Sequence, residues 1–100
     1  MRAAKFQLGK LYATCGVDAL QQQDQGFAKH VWLSFERYKQ GDWGDMTDGD
    51  KAQNDQALAD GEDGARLFAA YKHPEHEDWK IWIITESDRS VTTVLFPDEY

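Results

Sequence analysis

The chain has 100 residues, a net charge of −7, 13 aromatic side chains and one cysteine, Cys15. That length fits a single domain spanning 1–100 with one core, and the aromatic content argues against a disordered chain. A lone cysteine excludes an intramolecular disulfide and a cysteine-built zinc centre.

Taken from the start, Met1-Arg2-Ala3-Ala4-Lys5-Phe6-Gln7 has no apolar signal-peptide core. Residues 5–14 read as a first strand, with Leu11 and Ala13 on one side and Tyr12 and Thr14 on the other. Gly9 predicts a bend or bulge near its start, and Gly16 ends it. Residues 17–23 suit a short helix closed by Asp24-Gln25-Gly26. Residues 27–39 form the clearest helix: Phe27, Val31, Phe35 and Tyr38 recur at helical spacing, and Trp32 widens the stripe. Lys29, Glu36, Arg37 and Lys39 are expected to face out, and Gly41 stands where a C-terminal cap belongs.

Thr47 reads as the N-cap of a third helix running to about Ala59, with Asp50 approximating a capping box. Its few apolar residues include Ala52, Leu58 and Ala59. Period-2 alternation then marks strands around 66–71, 81–86 and 91–96, with turns at 73–78 and 87–90 and Pro97 as a stop. The longest strongly apolar run, Ile81-Trp82-Ile83-Ile84, is far short of the ~20 residues of a membrane helix. These elements predict an α+β fold: an antiparallel sheet made of the N-terminal strand and a C-terminal three-stranded meander, with about three helices on one face. A reducing cytoplasm is the expected compartment, with no membrane partner.

Charge is segregated. Residues 42–63 hold eight of the 18 acids (Asp42, Asp45, Asp48, Asp50, Asp55, Asp60, Glu62 and Asp63) against one base, Lys51, which leaves ten acids and ten bases elsewhere. Such a stretch repels phosphates, so direct nucleic-acid binding there is disfavoured. It attracts a basic protein surface. Asp48 and Asp55 are seven residues apart, two helical turns or ~10 Å, which roughly imitates the charge spacing of a nucleic-acid backbone. The same acids also serve solubility on a solvated face, and both readings stand. Trp43, between Gly41-Asp42 and Gly44-Asp45, is either an anchor for a partner or a plug that folds its loop onto the core; its size favours the plug.

No nucleophile elbow, phosphate loop or zinc-protease helix is present. Cys15 reads as a small buried residue near a strand end. His73 and His76 read as a solvated turn rather than a metal site. A calcium loop begun at Asp45 or Asp48 lacks the glycine and the glutamate it needs at its sixth and twelfth positions. The expectation is a protein with no cofactor, no metal and no catalysis.

Three segments carry a resemblance: Leu8-Gly9-Lys10-Leu11-Tyr12-Ala13-Thr14, then 37–45, and above all 80–100, from Lys80-Ile81-Trp82 to Pro97-Asp98-Glu99-Tyr100. Here the chain resembles a family of roughly hundred-residue proteins of bacterial plasmids and phages. The resemblance implies a mobile-element context in a bacterial host cell, where small acidic proteins include anti-CRISPR and anti-restriction inhibitors. It transfers no catalytic residue. The expected function is therefore inhibition of a defence system, with Asp42, Trp43, Asp45, Asp48, Asp50, Asp55, Asp60, Glu62 and Asp63 meeting a basic surface on a protein partner such as a CRISPR effector subunit. The alternative is a regulatory or structural adaptor that uses a sheet edge or apolar patch, with the acids for solubility. Monomer and homodimer both fit.

Overall fold

Gly9 decides how the chain enters the sheet. Its φ is +65°, and a Cβ there would lie 2.1 Å from the Ser90 carbonyl oxygen, so only glycine lets the backbone pass this close. The computed structural model describes residues 6–61 and 64–100. Its first strand, β1 (Lys10–Ala13), follows at once. The strand is shorter than the expected 5–14, because the bend at Gly9 ends pairing on that side; Lys5 lies outside the described residues.

Helix α1 (Cys15–Gln23) starts before Gly16, not after it. Its first turn is closed from the other end of the chain. Glu99 accepts from the Thr14 hydroxyl (2.5 Å) and the Gly16 N–H (3.1 Å), satisfying donors that a helix start leaves open. Those hydrogen bonds, the Thr14 one foremost, hold the Glu99 carboxyl below its usual range. Cys15 is exposed, not buried as expected, because it opens this helix on the solvent side.

Helix α2 (Gln25–Lys39) begins two residues earlier than expected. Asp24 ends α1 and also caps α2, accepting from the N–H groups of Gly26 (2.8 Å) and Phe27 (3.2 Å). Phe27, Val31 and Tyr38 are buried as the stripe predicts, and Phe35 packs half-buried beside them. Two residues depart from the pattern. Trp32 is 53% exposed rather than part of the stripe. Lys39 is buried, with its ammonium 2.8 Å from Glu36 and its stem along the Phe35 ring, the way a long basic side chain covers apolar surface. At the C-terminus Gly41 N–H donates to Tyr38 O (3.0 Å) and Asp42 N–H to Arg37 O (3.0 Å), the paired closure in which glycine favours the first position.

Helix α3 (Asp48–Asp60) has the expected N-cap: the Thr47 hydroxyl accepts from Asp50 N–H at 3.1 Å. Its buried residues are Asn54 and Ala57; Leu58 is half-buried, and Ala52 and Ala59 are exposed.

Strands β2 (Leu67–Tyr71), β3 (Ile81–Thr85) and β4 (Val91–Leu95) form the predicted antiparallel meander. The strand order is β1-β4-β3-β2, and β1 runs parallel to β4 with Leu11 beside Thr92. The sheet is thus mixed, not purely antiparallel. Alternation reveals faces but not direction, and the three helices after β1 make a connection long enough for a parallel pairing.

One sheet face, with Leu67, Ala69, Tyr71, Ile81, Ile83 and Val94, meets Phe27, Val31 and Tyr38 in a single core. Each such large apolar side chain contributes ~1.5–3 kcal/mol by leaving water. Helix α1 packs on β1 and β4, α2 on β3, and α3 on β2. Inside the core a hydroxyl chain runs from Tyr38 through Thr85 (2.6 Å) and Thr92 (2.8 Å) to the Leu8 carbonyl (2.7 Å). The carbonyl can only accept, so each hydroxyl donates in that order. Burial pushes the Tyr38 phenol well up, which keeps it a donor.

Candidate partner-binding surface

The acidic stretch lies along one edge of the sheet. Asp42 ends the α2 closure, pairs with Arg37 in two contacts (2.8 and 3.1 Å) and accepts from Gly44 N–H (3.1 Å). The Arg37 hydrogen bond is the main cause that holds its carboxyl below the usual range. Asp45 accepts from Lys72 N–H at 2.8 Å, while its own N–H donates to Ala70 O at 2.7 Å. Gly44, at φ +73°, lets this segment lie against β2; a Cβ would stand 2.2 Å from Ala70 O. Asp55 accepts from the Trp43 indole N–H at 3.0 Å, and Asp60 from the Gln56 amide at 3.0 Å. Asp48 and Asp50 occupy the first turn of α3, where the helix dipole favours anions.

All six of these aspartates are exposed, four of them in α3 and two in the loop that leads into it. Three of them, Asp42, Asp45 and Asp55, also tie the scaffold together. Glu62 and Asp63 lie outside the described residues. Trp43 is 3% exposed, with its ring against Tyr38 (5.5 Å) and Phe6 (6.1 Å). It is the plug, not a surface anchor, and Tyr71 fastens the same loop by donating to Asp42 O at 2.6 Å.

The histidine turn is exposed over residues 74–78, as a solvated turn would be, but His73 departs from that reading. His73 is half-buried, and its ring meets those of His30 (5.1 Å), His76 (5.1 Å) and Trp79 (4.9 Å). His76 stacks on Trp79 at 3.9 Å. The two histidine rings thus rest on Trp79, which is buried, while His76 itself stays exposed. Among the described residues no group of three or more His, Cys, Asp or Glu side chains is placed to hold a metal. His30 is buried, and its Nε2 has no hydrogen-bond partner. Burial first, and His73 second, lower its pKa. A groove of about 980 Å³ runs beside it between α2 and residues 72–74, with Trp32, Leu33 and the paired Arg37 and Asp42 in its wall.

Sequence reasoning missed three scaffold residues. Asn54 is buried in α3 and holds β2 by two hydrogen bonds. Arg89, expected in a plain polar turn, is buried at φ +61° and donates to the carbonyls of Ala65, Glu86, Ser87 and Ala57. Glu99 caps a helix from the far end of the chain. It also missed an apolar patch: Leu11, Tyr12, Trp32 and Leu33 are 44–56% exposed. No local motif marks any of these, although Leu11 and Tyr12 lie in the strand that the mixed topology leaves at the sheet edge. Among the described residues no helix is long and apolar enough to cross a membrane.

Comparison with protein-family models, characterised proteins and solved structures finds no match to this chain.

Proposed function

We propose that this protein acts without catalysis, as an inhibitor of a bacterial defence system of the anti-CRISPR kind. It docks its acidic region on a basic, nucleic-acid-binding surface of a protein effector. The observation that carries this reading is the exposure of α3. Only Asn54 and Ala57 of that helix are buried, and Asp48, Asp50, Asp55 and Asp60 stand in solvent, with Asp42 and Asp45 at the loop that leads into it. A helix polar on nearly all sides stabilises little by its own packing and presents charge instead. Trp43 and Arg37 contribute indirectly by holding Asp55 and Asp42 in place.

The test is capture of the partner from a bacterial host lysate, followed by salt titration and competition with duplex DNA. The reading expects affinity to fall steeply with salt, since attraction is screened over ~10 Å at 0.1 M, and DNA to compete. Salt-insensitive binding without competition would sink it. A second reading, a mobile-element adaptor with the acids for solubility, draws on the apolar patch at Leu11, Tyr12, Trp32 and Leu33.

A further inference from the structure

The two edges of the sheet are treated oppositely. On β2, the peptide group of Phe68 is paired in both directions by the Asn54 side chain, the Ala70 carbonyl by Asp45 N–H, and the Lys72 N–H by the Asp45 carboxylate. That edge is sealed. At the other end of the order stands β1. Lys10 N–H and Thr14 N–H donate toward β4, to Ser90 O and Val94 O. Alternation along a strand therefore turns the peptide groups of Leu11 and Ala13 the other way, to the side where the sheet ends. Open edges recruit further strands, and folded proteins normally blunt them.

We propose that β1 is a homodimer interface, pairing antiparallel with β1 of a second copy about a two-fold axis at Tyr12. The register follows from the outward groups. Only residues that point outward can exchange hydrogen bonds, so Leu11 pairs with Ala13 of the second copy, twice by symmetry. Tyr12 then faces its own counterpart in a close, non-hydrogen-bonded pair, where aromatic side chains interact favourably. Lys10 falls opposite Thr14, so the two copies of the strand's one charge are kept apart. Tyr12 stands beside Thr93, Thr93 beside Ile84 and Ile84 beside Phe68, so the pairing continues one cross-sheet row through both copies. On the helix side, Leu11 borders an apolar cleft of about 310 Å³ with Val31, Trp32 and Phe35 in its wall, which the second copy covers.

The charge distribution leaves this edge without the acidic excess that would draw a basic partner, and it does not oppose a second copy. The acids cluster around α3, which packs on β2, three strand steps or ~14 Å from β1. In the dimer the two β2 edges lie ~33 Å apart by the same spacing, several times the ~8 Å screening length at physiological salt. A net charge of −7 per chain is thus no obstacle. This inference does not depend on the inhibitor reading.

Sedimentation equilibrium of the intact protein is expected to show a mass that doubles with concentration from the 11.5 kDa of one chain. Tyr12→Cys in a Cys15→Ser background should cross-link under mild oxidation, because close antiparallel pairs bring Cα atoms to about 4.5 Å, within disulfide range. Leu11→Cys in the same background should not, being ~7–8 Å from its own copy. Leu11→Pro removes an outward N–H and leaves the β4 ladder intact, so self-association should weaken about tenfold or more. A single-chain mass at every concentration, another protein's strand captured at β1 in place of a second copy, or cross-linking through position 11 instead of 12 would overturn the proposal.

Discussion

Asn54 replaces a missing strand for Phe68: its amide nitrogen donates to Phe68 O at 2.7 Å, and its oxygen accepts from Phe68 N–H at 3.2 Å. One buried side chain thus satisfies both polar groups of an edge peptide, which would otherwise lose solvent without compensation. It also fixes α3 to the sheet, because the helix buries little else. Asn54→Ala should destabilise the fold by ~2–4 kcal/mol, the cost of leaving a buried donor and acceptor unpaired. Urea unfolding measures the loss, and faster hydrogen exchange at Phe68 localises it. An unchanged midpoint would show that water takes over the peptide group at no cost.

Arg89 ties three segments together. Its guanidinium donates to Ala57 O at the end of α3, to Ala65 O before β2, and to Glu86 O and Ser87 O in its own turn. No other side chain has a planar fork able to serve carbonyls in several directions. Arg89→Ala is expected to cost ~3 kcal/mol, in the range for removing a buried charged hydrogen-bonding group. Arg89→Lys should recover only part, because an ammonium cannot span the same acceptors. Full recovery by lysine in thermal unfolding would show that charge, not geometry, matters at this turn.

Acid sensitivity has an identifiable source. His30 is buried, unpartnered at Nε2 and set against the His73 ring, with Arg37 adding a further positive charge; the backbone of Tyr71 and Trp79 partly opposes the shift. Its pKa is below the ordinary value of 6.5 in the folded state, so the unfolded chain binds the proton more readily. Stability is then complete above about pH 6.5 and declines as pH falls below it. Asp42 and Glu99, also held below their usual values, act in the same direction, but only further down, in the carboxylate range. Melting temperature should therefore begin to fall as pH drops below about 6.5, and His30→Leu should flatten that segment of the profile. A His30→Leu profile that keeps the same slope would assign the effect elsewhere.

Much of this fold is legible from local pattern. The Phe27, Val31 and Tyr38 stripe, the Thr47 cap, the bend at Gly9 and the C-terminal meander all follow from spacing and turn chemistry within a few residues. What is not legible depends on distance. The parallel pairing of β1 with β4 joins residues some eighty positions apart, and strand alternation says nothing about direction. Glu99 capping α1 and Asn54 sealing β2 are single polar residues, whose partners exist only once the chain has folded. The candidate site divides the same way. The clustering of acids was visible from composition, whereas the duties of Asp42, Asp45 and Asp55 as scaffold ties were not.

Those duties shape the last prediction, because they separate charge from structure. Asparagine keeps an acceptor oxygen, so Asp55→Asn preserves a partner for the Trp43 indole while removing a charge, whereas Asp55→Ala also breaks the bond at a cost of ~1 kcal/mol. Among the described residues the side chains of Asp48 and Asp50 make no hydrogen bond or ion pair and act through the dipole at the start of α3, a contribution of ~0.3–1 kcal/mol. Asp48→Asn, Asp50→Asn and Asp55→Asn together should therefore leave the protein folded, with a melting temperature only slightly lowered. Against a basic partner the same variant should associate about tenfold more slowly at low salt, with a smaller change in dissociation, since long-range attraction acts chiefly on encounter. High salt should erase the difference between variant and parent. Stopped-flow binding at two salt concentrations measures both rates, with Asp55→Ala as the control for lost packing. Unchanged association for the triple variant would reduce the acids to a solubility coat, and partner contact would then have to be sought at Trp32 and Leu33, where the apolar surface is exposed.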